Sequence, residues 1–421
     1  MRRATASVPG PQPAAGPGPA PVQAVRVLEI TAGFAVAGPL GGAARFVIEL
    51  SRALATRERT RVAPRLAALW DFATPHDEEW RAQLAREEIP VFTAAPWQAG
   101  APLRSCMESL RNLWRHPGAR VDVIHSHGEF TDLAAILLKR RLGARYLVRT
   151  RHSSVEWPKR PRLGAFFANL LYPAVFDMEV AVSQNAVEAL DGRWLAGRLG
   201  RKARRIYNAL NFERFGIEMA GRLETRARLR ASLGVPVDAP LVGTVGRLVP
   251  IKGYHVLLEA IPAVAQLYPH ARVVIAGEGP ERAALEAQAA ALGMGERVIF
   301  TGARSDVEAV LATLDLFVSS SYVEGLPTAI LESVAAGVPV VATAIPGNME
   351  ILQDGVTGRL APPGDAPALA HAIVAALREP AAAKAMADRA YQDAQQRFSI
   401  EVIAAQYADL FCNLMANAPG R

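Results

Sequence analysis

The sequence contains few cysteines and no long apolar run. Cys106 and Cys412 are the only cysteines among 421 residues, which excludes a disulfide framework and a cysteine-rich zinc site. A membrane-spanning helix needs about eighteen or more consecutive apolar residues, and no such stretch is present. We therefore expect a cytoplasmic protein, either soluble or peripheral at the inner face of the cell membrane.

Two sequence signatures are also missing. No G-x-G-x-x-G fingerprint follows the first predicted strand, which argues against an NAD-dependent dehydrogenase. No nucleic-acid-binding module accompanies the net charge of +7, so nucleic acid is not an expected partner. The positive charge instead favours nucleotides, phosphates or anionic lipid as partners.

The chain begins with a segment of biased composition. Residues 1–22 are almost wholly Pro, Ala and Gly after Arg2 and Arg3, and they lack the apolar core of a signal peptide. We predict a disordered tail there.

From residue 23 onward, short apolar runs alternate with helical patterns in two successive halves. This alternation predicts an α/β fold with two doubly wound, Rossmann-like domains. The predicted strands are Val25–Ile30, Pro64–Leu69, Val121–Ser126, Arg145–Thr150, Met178–Ser183, Leu241–Gly246, Val273–Gly277, Val298–Gly302, Leu314–Val318 and Pro339–Thr343.

The clearest β-α-β pattern lies between residues 314 and 343. Glu324 to Pro327 form a turn and Thr328 to Ala336 a helix, with Glu332 eight residues after Glu324. This spacing of about two helical turns places both carboxylates beside one pocket. The free N–H groups of Gly325 to Thr328 would attract an anion there. The alternative is a helix whose start carries Glu only because the dipole favours it.

A second pattern follows the first strand of the second half. Gly246, Arg247, Lys252 and Gly253 occur within one strand-to-helix connection. Two cations beside glycine-rich backbone suit a diphosphate that is bound without a metal. Surface charge on a loop is the alternative. Glu278 follows the next strand and is a further candidate for binding the same ligand.

The first half offers glycines and histidines at strand ends. Gly41 and Gly42 precede a helix predicted over Ala43–Leu54, where the backbone could approach a ligand closely; a plain turn is the alternative. His127 follows a strand, and it could orient a sugar hydroxyl or simply be a hydrogen-bonded strand-end residue. His125 points the same way but is farther from the crevice, and His152 is a weaker candidate.

These motifs resemble those of a known family. The E-x7-E spacing of Glu324 and Glu332, and the G-R-x4-K-G pattern from Gly246 to Gly253, resemble retaining glycosyltransferases of GT-B architecture, most closely glycosyltransferase family 4. The resemblance runs from about residue 25 to the C-terminus, with its specific motifs between residues 243 and 360. It implies an acceptor-side domain at 23–212, a nucleotide-sugar donor domain at 213–397, and a C-terminal helix at 398–421 that crosses back.

The resemblance also implies roles for individual residues. The anomeric configuration would be retained, with no cofactor and no metal, in agreement with the lack of an Asp-x-Asp motif. Ala209 stands where the family usually has glycine. The implied catalytic residues are Arg247, Lys252, Glu324 and His127. The implied donor-binding residues are Gly41, Gly42, Gly246, Glu278, Gly325, Leu326, Pro327, Thr328 and Glu332.

We therefore expect transfer of a hexose from a nucleoside-diphosphate sugar to a saccharide or lipid-linked acceptor, in polysaccharide or glycoconjugate synthesis. The alternatives are a catalytically idle nucleotide-sugar-binding protein and a GT-B nucleotide-sugar epimerase. Acceptor contacts are expected on loops such as Trp70–Trp97.

The stretch between Lys139 and Arg162 contains nine Lys or Arg and a single acid. Together with Trp157 and Phe166, this charge predicts docking on an anionic membrane surface; an anionic acceptor or simple solvation would also explain the charge.

Overall fold

The computed structural model describes residues 23–34, 41–98, 101–115, 120–152, 157, 160–216 and 219–417. The predicted tail at residues 1–22 lies outside this range. Residues 35–40, which come directly before Gly41, also lie outside it.

The first half of the chain folds around a seven-stranded sheet in the order β3-β2-β1-β4-β5-β6-β7. All neighbouring strands are parallel. The strands are β1 (Val25–Thr31), β2 (Val62–Asp71), β3 (Val91–Pro96), β4 (Val123–Ser126), β5 (Tyr146–Arg151), β6 (Met178–Ala181) and β7 (Arg204–Arg205).

Helices connect these strands and cover both faces of the sheet. They are α1 (Gly41–Arg57), α2 (Pro75–Arg86), α3 (Pro102–Arg115), α4 (Glu129–Arg141), α5 (Pro161–Phe166), a π-helical turn (Phe167–Leu171), α6 (Tyr172–Val175), α7 (Gln184–Asp191) and α8 (Trp194–Arg198). One core cluster joins α1 to one face of the sheet, and another joins α3 and α4 to the opposite face. Parallel strands buried on both faces require this arrangement.

The second half folds around a six-stranded parallel sheet in the order β10-β9-β8-β11-β12-β13. Its strands are β8 (Leu241–Val245), β9 (Arg272–Ala276), β10 (Val298–Gly302), β11 (Leu316–Ser319), β12 (Val340–Thr343) and β13 (Arg359–Ala361). Its helices are α9 (Met219–Ser232), α10 (Tyr254–Leu267), α11 (Arg282–Ala291), α12 (Val307–Thr313), α13 (Thr328–Ala335), α14 (Pro346–Met349), α15 (Ala366–Arg378) and α16 (Pro380–Phe398). Both sheets are doubly wound, so the predicted fold class is confirmed.

The last helix, α17 (Ile400–Ala416), packs against α1 rather than against the second sheet. Tyr407 and Phe411 of α17 are fully buried in the core of the first half. Just before α17 the chain exchanges backbone hydrogen bonds with Leu210, whose N–H donates to Phe398 (2.9 Å) and whose carbonyl accepts from Ile400 (3.1 Å). The two chain crossings between the domains therefore lie side by side.

The sequence patterns missed or misjudged some elements. The stretch from Trp70 to Trp97, expected as loop, contains the end of β2, helix α2 and strand β3. A reciprocal pair of hydrogen bonds between Thr74 and Asp77 begins α2, which is the capping-box arrangement.

None of the described helices is both long and apolar enough to cross a membrane.

Candidate active site

The central contact of the candidate site joins two predicted catalytic residues. Lys252 Nζ donates a 2.6 Å hydrogen bond to Glu324 Oε1, and Ser321 Oγ donates to the same carboxylate oxygen at 2.7 Å. Both side chains are largely shielded from solvent. The carboxylate lies in a small pocket lined by Thr244, Tyr254 and Ile330 among others. A desolvated carboxylate needs such a partner because burying an unpaired charge is costly.

Glycine backbone brings Lys252 to this position. A 3₁₀ turn over Pro250–Lys252 ends at Gly253, whose φ of 61° is in the left-handed region. A Cβ at Gly253 would also clash with the carbonyl oxygen of Ser320. Ser320 Oγ in turn donates to the carbonyl of Lys252 at 3.0 Å. The connection after β8 is thereby fastened to the end of β11, which only glycine allows.

Arg247 and Glu278 lie on the exposed rim of this connection. Leu248 N–H donates to the carbonyl of Glu278 at 2.9 Å, which holds the loops after β8 and β9 together. A Cβ at Gly277 would clash with the carbonyl oxygen of Gly246, so these two loops touch through bare backbone. The Glu278 carboxylate lies 3.3 Å from Arg282 Nη1, and the side chain of Arg247 is exposed.

The turn from Gly325 to Thr328 leads from β11 into α13. Leu326 and Pro327 are buried, and Gly347 of α14 packs against the carbonyls of Glu324 and Gly325. In the part of the chain that the structure describes, the N–H groups of Gly325 and Leu326 donate to no protein acceptor. These free donors precede α13, where the helix dipole adds to the attraction for an anion.

Glu332, the second glutamate, has different surroundings from Glu324. It lies 3.9 Å from Nη1 of Arg45, a residue of α1 in the other domain. Burial raises the pKa of Glu332 above its ordinary value, while the charges of Arg45 and Arg214 act in the opposite direction. The Nε atom of Arg45 is buried and has no hydrogen-bond partner among the described residues. Arg45 and Arg214, which the sequence motifs did not indicate, thus belong to the surroundings of this site.

Gly41 and Gly42 form the start of α1. A Cβ at Gly42 would meet nothing within 4 Å, so the backbone there has open space beside it.

His127 belongs to a buried hydrogen-bonded network. Its Nε2 lies 2.7 Å from Glu29 Oε2, and its Nδ1 lies 3.0 Å from Nε2 of His152. The other ring nitrogen of His152 is 2.8 Å from the side-chain amide of Asn208. A carboxylate can only accept, so Nε2–H of His127 donates to Glu29 and its Nδ1 accepts from His152. Both ring nitrogens therefore contact protein groups, and a role of His127 on the donor sugar stays a prediction.

His125 joins the same network from the other side. Its Nδ1 lies 2.9 Å from Glu29 Oε2 and its Nε2 lies 2.7 Å from Thr150 Oγ1, which is 2.9 Å from the hydroxyl of Tyr407 on α17. Sequence reasoning missed Glu29. Its position in β1 shares the inward parity of Val25 and Val27, and a carboxylate on an apolar strand face is the signal that would have revealed it.

Among the described residues, one cluster could hold a metal ion. It consists of Glu29, His125 and His127, whose ligand atoms lie within 4.8 Å of one another. The carboxylate oxygen already contacts both imidazoles directly. The two imidazoles outweigh the effect of burial and lower the pKa of Glu29 to about 2. Protein groups thus stabilise the charged carboxylate by themselves.

The histidines of this network should make the fold sensitive to acid. Burial lowers the pKa of His127 to about 4, despite Glu29, and the pKa of His152 to about 3. Both values lie below the roughly 6.5 of an exposed histidine, so the unfolded chain binds more protons between these limits. Stability should be complete above about pH 6.5 and fall by about 1.4 kcal/mol per pH unit for each histidine as the pH decreases toward 4.

Urea unfolding at pH 7.5, 6.5 and 5.5 measures this slope. His127→Gln and His152→Gln should each flatten it, whereas His371→Gln, a substitution at an exposed residue of α15, should leave it unchanged. An unaltered slope in the first two variants would refute the assignment.

The two halves of the chain match models of glycosyltransferase families. Residues 40–214 match Glycosyltransferase Family 4, and residues 225–393 match Glycosyl transferases group 1. Together these two regions contain every strand of the two sheets except β1.

Two relatives illustrate the similarity in sequence. The lipopolysaccharide core biosynthesis glycosyltransferase LpsE of Rhizobium meliloti is 37% identical over 190 residues, which are 45% of this chain and 54% of that protein. The chain thus spans about half the length of this relative. The alpha-D-kanosaminyltransferase of Streptomyces kanamyceticus is 29% identical over 325 residues, which are 75% of this chain and 82% of that protein.

The fold is shared with a solved structure. Anabaena Alr3699/HepE, in a crystal structure with UDP and glucose, superposes with a TM-score of 0.73 at 23% identity, covering 92% of this chain and all of that one. The two family matches show that the chain belongs to glycosyltransferase family 4, and the shared architecture shows that it has the GT-B fold.

Proposed function

We propose that this glycosyltransferase moves a hexose from a nucleoside-diphosphate sugar to a saccharide or lipid-linked acceptor, with retention of configuration and without a metal. The hydrogen bond between Lys252 and Glu324, beside the free N–H groups of Gly325 and Leu326, supports this most directly. Lys252 and Glu324 line one pocket, and the free N–H groups belong to the two residues that directly follow Glu324. Polysaccharide or glycoconjugate synthesis is the proposed context, since the rhizobial relative is named for lipopolysaccharide core biosynthesis.

The reaction breaks the bond between the anomeric carbon and a phosphate oxygen. Negative charge accumulates on the leaving diphosphate while the sugar gains oxocarbenium character. Lys252, Arg247 and the N–H groups before α13 would neutralise the leaving group. Glu324 would contact the donor sugar and Glu332 the ribose, as in the family that the sequence resembles. Removing one stabiliser of this kind typically lowers the rate by about 10²–10³.

Thermal unfolding in the presence of UDP, GDP, ADP and their sugars tests donor binding and identifies the base. The bound nucleotide of HepE makes UDP the first candidate. A hundredfold excess over the dissociation constant stabilises a native protein by about 2.7 kcal/mol. Stabilisation by one diphosphate and its sugar is expected, and no response to any of them would contradict the proposal.

Substitution of either cation should slow the transfer. We expect Lys252→Ala and Arg247→Ala each to reduce turnover by about a hundredfold or more, because each would stabilise the leaving diphosphate. Lys384→Ala, on an exposed part of α16, is the control and should retain wild-type turnover. Steady-state assays of nucleoside diphosphate release measure the effect, with circular dichroism to establish folding.

Near-normal rates in either variant would remove that residue from the diphosphate role. Turnover should also persist in excess EDTA, since the cations and backbone would take the part of a metal. Complete loss in EDTA that magnesium restores would contradict this.

The two glutamates should have separable effects. Glu324→Gln should lower turnover more than nucleotide affinity, because its proposed partner is the sugar. Glu332→Gln should weaken binding of the free nucleoside diphosphate by roughly 10- to 100-fold, since charge-assisted hydrogen bonds are worth about 1.5–3 kcal/mol. Calorimetry and steady-state kinetics distinguish the two, with Glu379→Gln as an exposed control. The opposite pattern would mean that the roles are exchanged.

We also propose that the acceptor-side domain docks on an anionic membrane surface. Leu163, Phe166 and Leu170 are exposed along one side of α5 and the following turn, at the i, i+3, i+7 spacing of a helix face. Arg160 and Arg162 are exposed at the start of the same segment. Trp157, also expected to insert, is instead buried and bonded to Tyr172, so it does not contribute.

Co-sedimentation with phosphatidylglycerol vesicles tests this docking. Binding should fall as salt increases, and it should weaken when Leu163, Phe166 and Leu170 are replaced together by Ser. Replacement of Leu223, an exposed leucine of α9, by Ser is the control. A protein that stays in the supernatant at low salt would exclude the membrane surface.

A further inference from the structure

Aromatic rings gather where several strands of the first sheet end. Trp70 is the last but one residue of β2, and Phe72 directly follows that strand. Trp97 directly follows β3, and Phe130 is the second residue of α4. The ring of Trp70 lies 4.9 Å from Trp97 and 5.4 Å from Phe130, and Phe72 lies 5.7 Å from Trp97. Trp157, after β5, extends the group at 5.4 Å from Phe130. These five residues are called the aromatic platform below.

The platform lies on the edge of the sheet where ligands bind in doubly wound folds, beyond the carboxyl ends of the strands. Phe130 comes three residues after His127. On the same edge, the carbonyl oxygen of His152 lies 3.7 Å from the position of a Cβ at Gly325 in the other domain. The platform therefore shares its edge of the sheet with the residues that meet the donor-side turn.

Backbone and side-chain contacts hold the platform in place. Trp97 N–H donates to the carbonyl of Asp71 at 2.7 Å, and Trp70 N–H donates to the carbonyl of Ala32 at 2.9 Å. Trp157 donates from its backbone to Glu129 and from its indole to the hydroxyl of Tyr172 at 3.2 Å. Fixed rings of this kind bind a ligand with little loss of side-chain entropy.

Two loops that carry these rings have unusual backbone conformations. Ala73 and Trp157 have φ values of 52° and 53°, and they are two of the three non-glycine residues with positive φ in the described chain. Such conformations are strained for residues other than glycine and are concentrated at functional sites. The conformation at Ala73 is held by its N–H, which donates to Asp71 Oδ1 at 2.9 Å, and Arg81 donates to the same carboxylate. The backbone is therefore strained next to Phe72 and at Trp157.

Several rings of the aromatic platform are exposed to solvent, unlike those of a hydrophobic core. Phe130 is 43% exposed, and Phe72 and Trp97 are half-buried. Trp70 is buried, yet its Nε1 has no hydrogen-bond partner among the described residues. Buried indole N–H groups usually find a partner, and exposed clusters of aromatic rings mark ligand or interaction sites.

We propose that the aromatic platform binds a neutral pyranose ring of the acceptor, with Phe130 and Trp97 stacking on its C–H face. This inference rests on the proposed glycosyl transfer and specifies its acceptor subsite. A pyranose has an apolar face and a rim of hydroxyl groups. The rings match the face, while Asp71, Arg81 and Glu129 supply charged groups at the border. A hydrocarbon tail would match the rings but not this polar border.

Saturation-transfer NMR with methyl α-glucopyranoside, methyl α-mannopyranoside and methyl α-galactopyranoside tests the subsite on the full chain. At least one glycoside should receive saturation on its ring C–H protons. Phe130→Leu and Trp97→Leu should weaken that binding by roughly three- to tenfold, since they remove aromatic stacking but keep an apolar side chain. Trp194→Leu, at an exposed tryptophan of α8, is the matched control and should leave the binding unchanged.

Thermal stabilisation by nucleoside diphosphates, measured on the same variants, separates the two proposals. Unchanged nucleotide binding together with weakened glycoside binding supports the subsite. Nucleotide binding with no glycoside signal in the wild type, or with equal signals in all variants, overturns the subsite and leaves the proposed function standing. Octyl glucoside that receives saturation only on its alkyl chain would assign the platform to an apolar tail and also overturn it. Failure of every nucleotide to bind would instead contradict the proposed function.

Discussion

The ion pair between Lys252 and Glu324 imposes the strictest demand on the second domain. A carboxylate that is shielded from water is stable only when a cation or hydrogen-bond donors balance its charge. The chain satisfies this demand with Lys252 and Ser321, which come from separate connections at the ends of β8 and β11. Gly253 permits the contact because any larger residue would collide with Ser320. Two segments distant in sequence are thereby fixed around one carboxylate.

A second buried carboxylate has a similar effect in the first domain. Glu29 joins β1 to His125 of β4 and to His127 just after it, and through His125 and Thr150 the network reaches Tyr407 on the last helix. Through His152 it reaches Asn208, next to the first crossing between the domains. The orientation of His127 is therefore coupled to segments that connect the two domains. This coupling follows from the contacts among polar groups in a buried site.

The sequence was most informative where structure and chemistry are local. The alternation of apolar runs and helical patterns predicted two doubly wound domains, and this fold class is confirmed together with family 4. Glycines and charges near Lys252 and Glu324 occur in short motifs, so their grouping could be anticipated, although the individual roles of the site residues stay predictions. Contacts between distant segments gave no such signal: Arg45 beside Glu332 and Tyr407 near His125 depend on how the domains and α17 pack. The segment from Trp70 to Trp97 was predicted to be a loop, whereas Thr74 and Asp77 form a capping box that begins helix α2 there.

The central claim is that the pocket around Lys252 and Glu324 supports transfer of a sugar with loss of a nucleoside diphosphate. Proton NMR of a reaction that contains a nucleotide sugar, with and without a saccharide acceptor, tests it most directly. The account predicts that diphosphate accumulates only with acceptor and that the new anomeric proton has the configuration of the donor. Equal release without acceptor, an inverted product, or interconversion of donor sugars with no diphosphate released would contradict it.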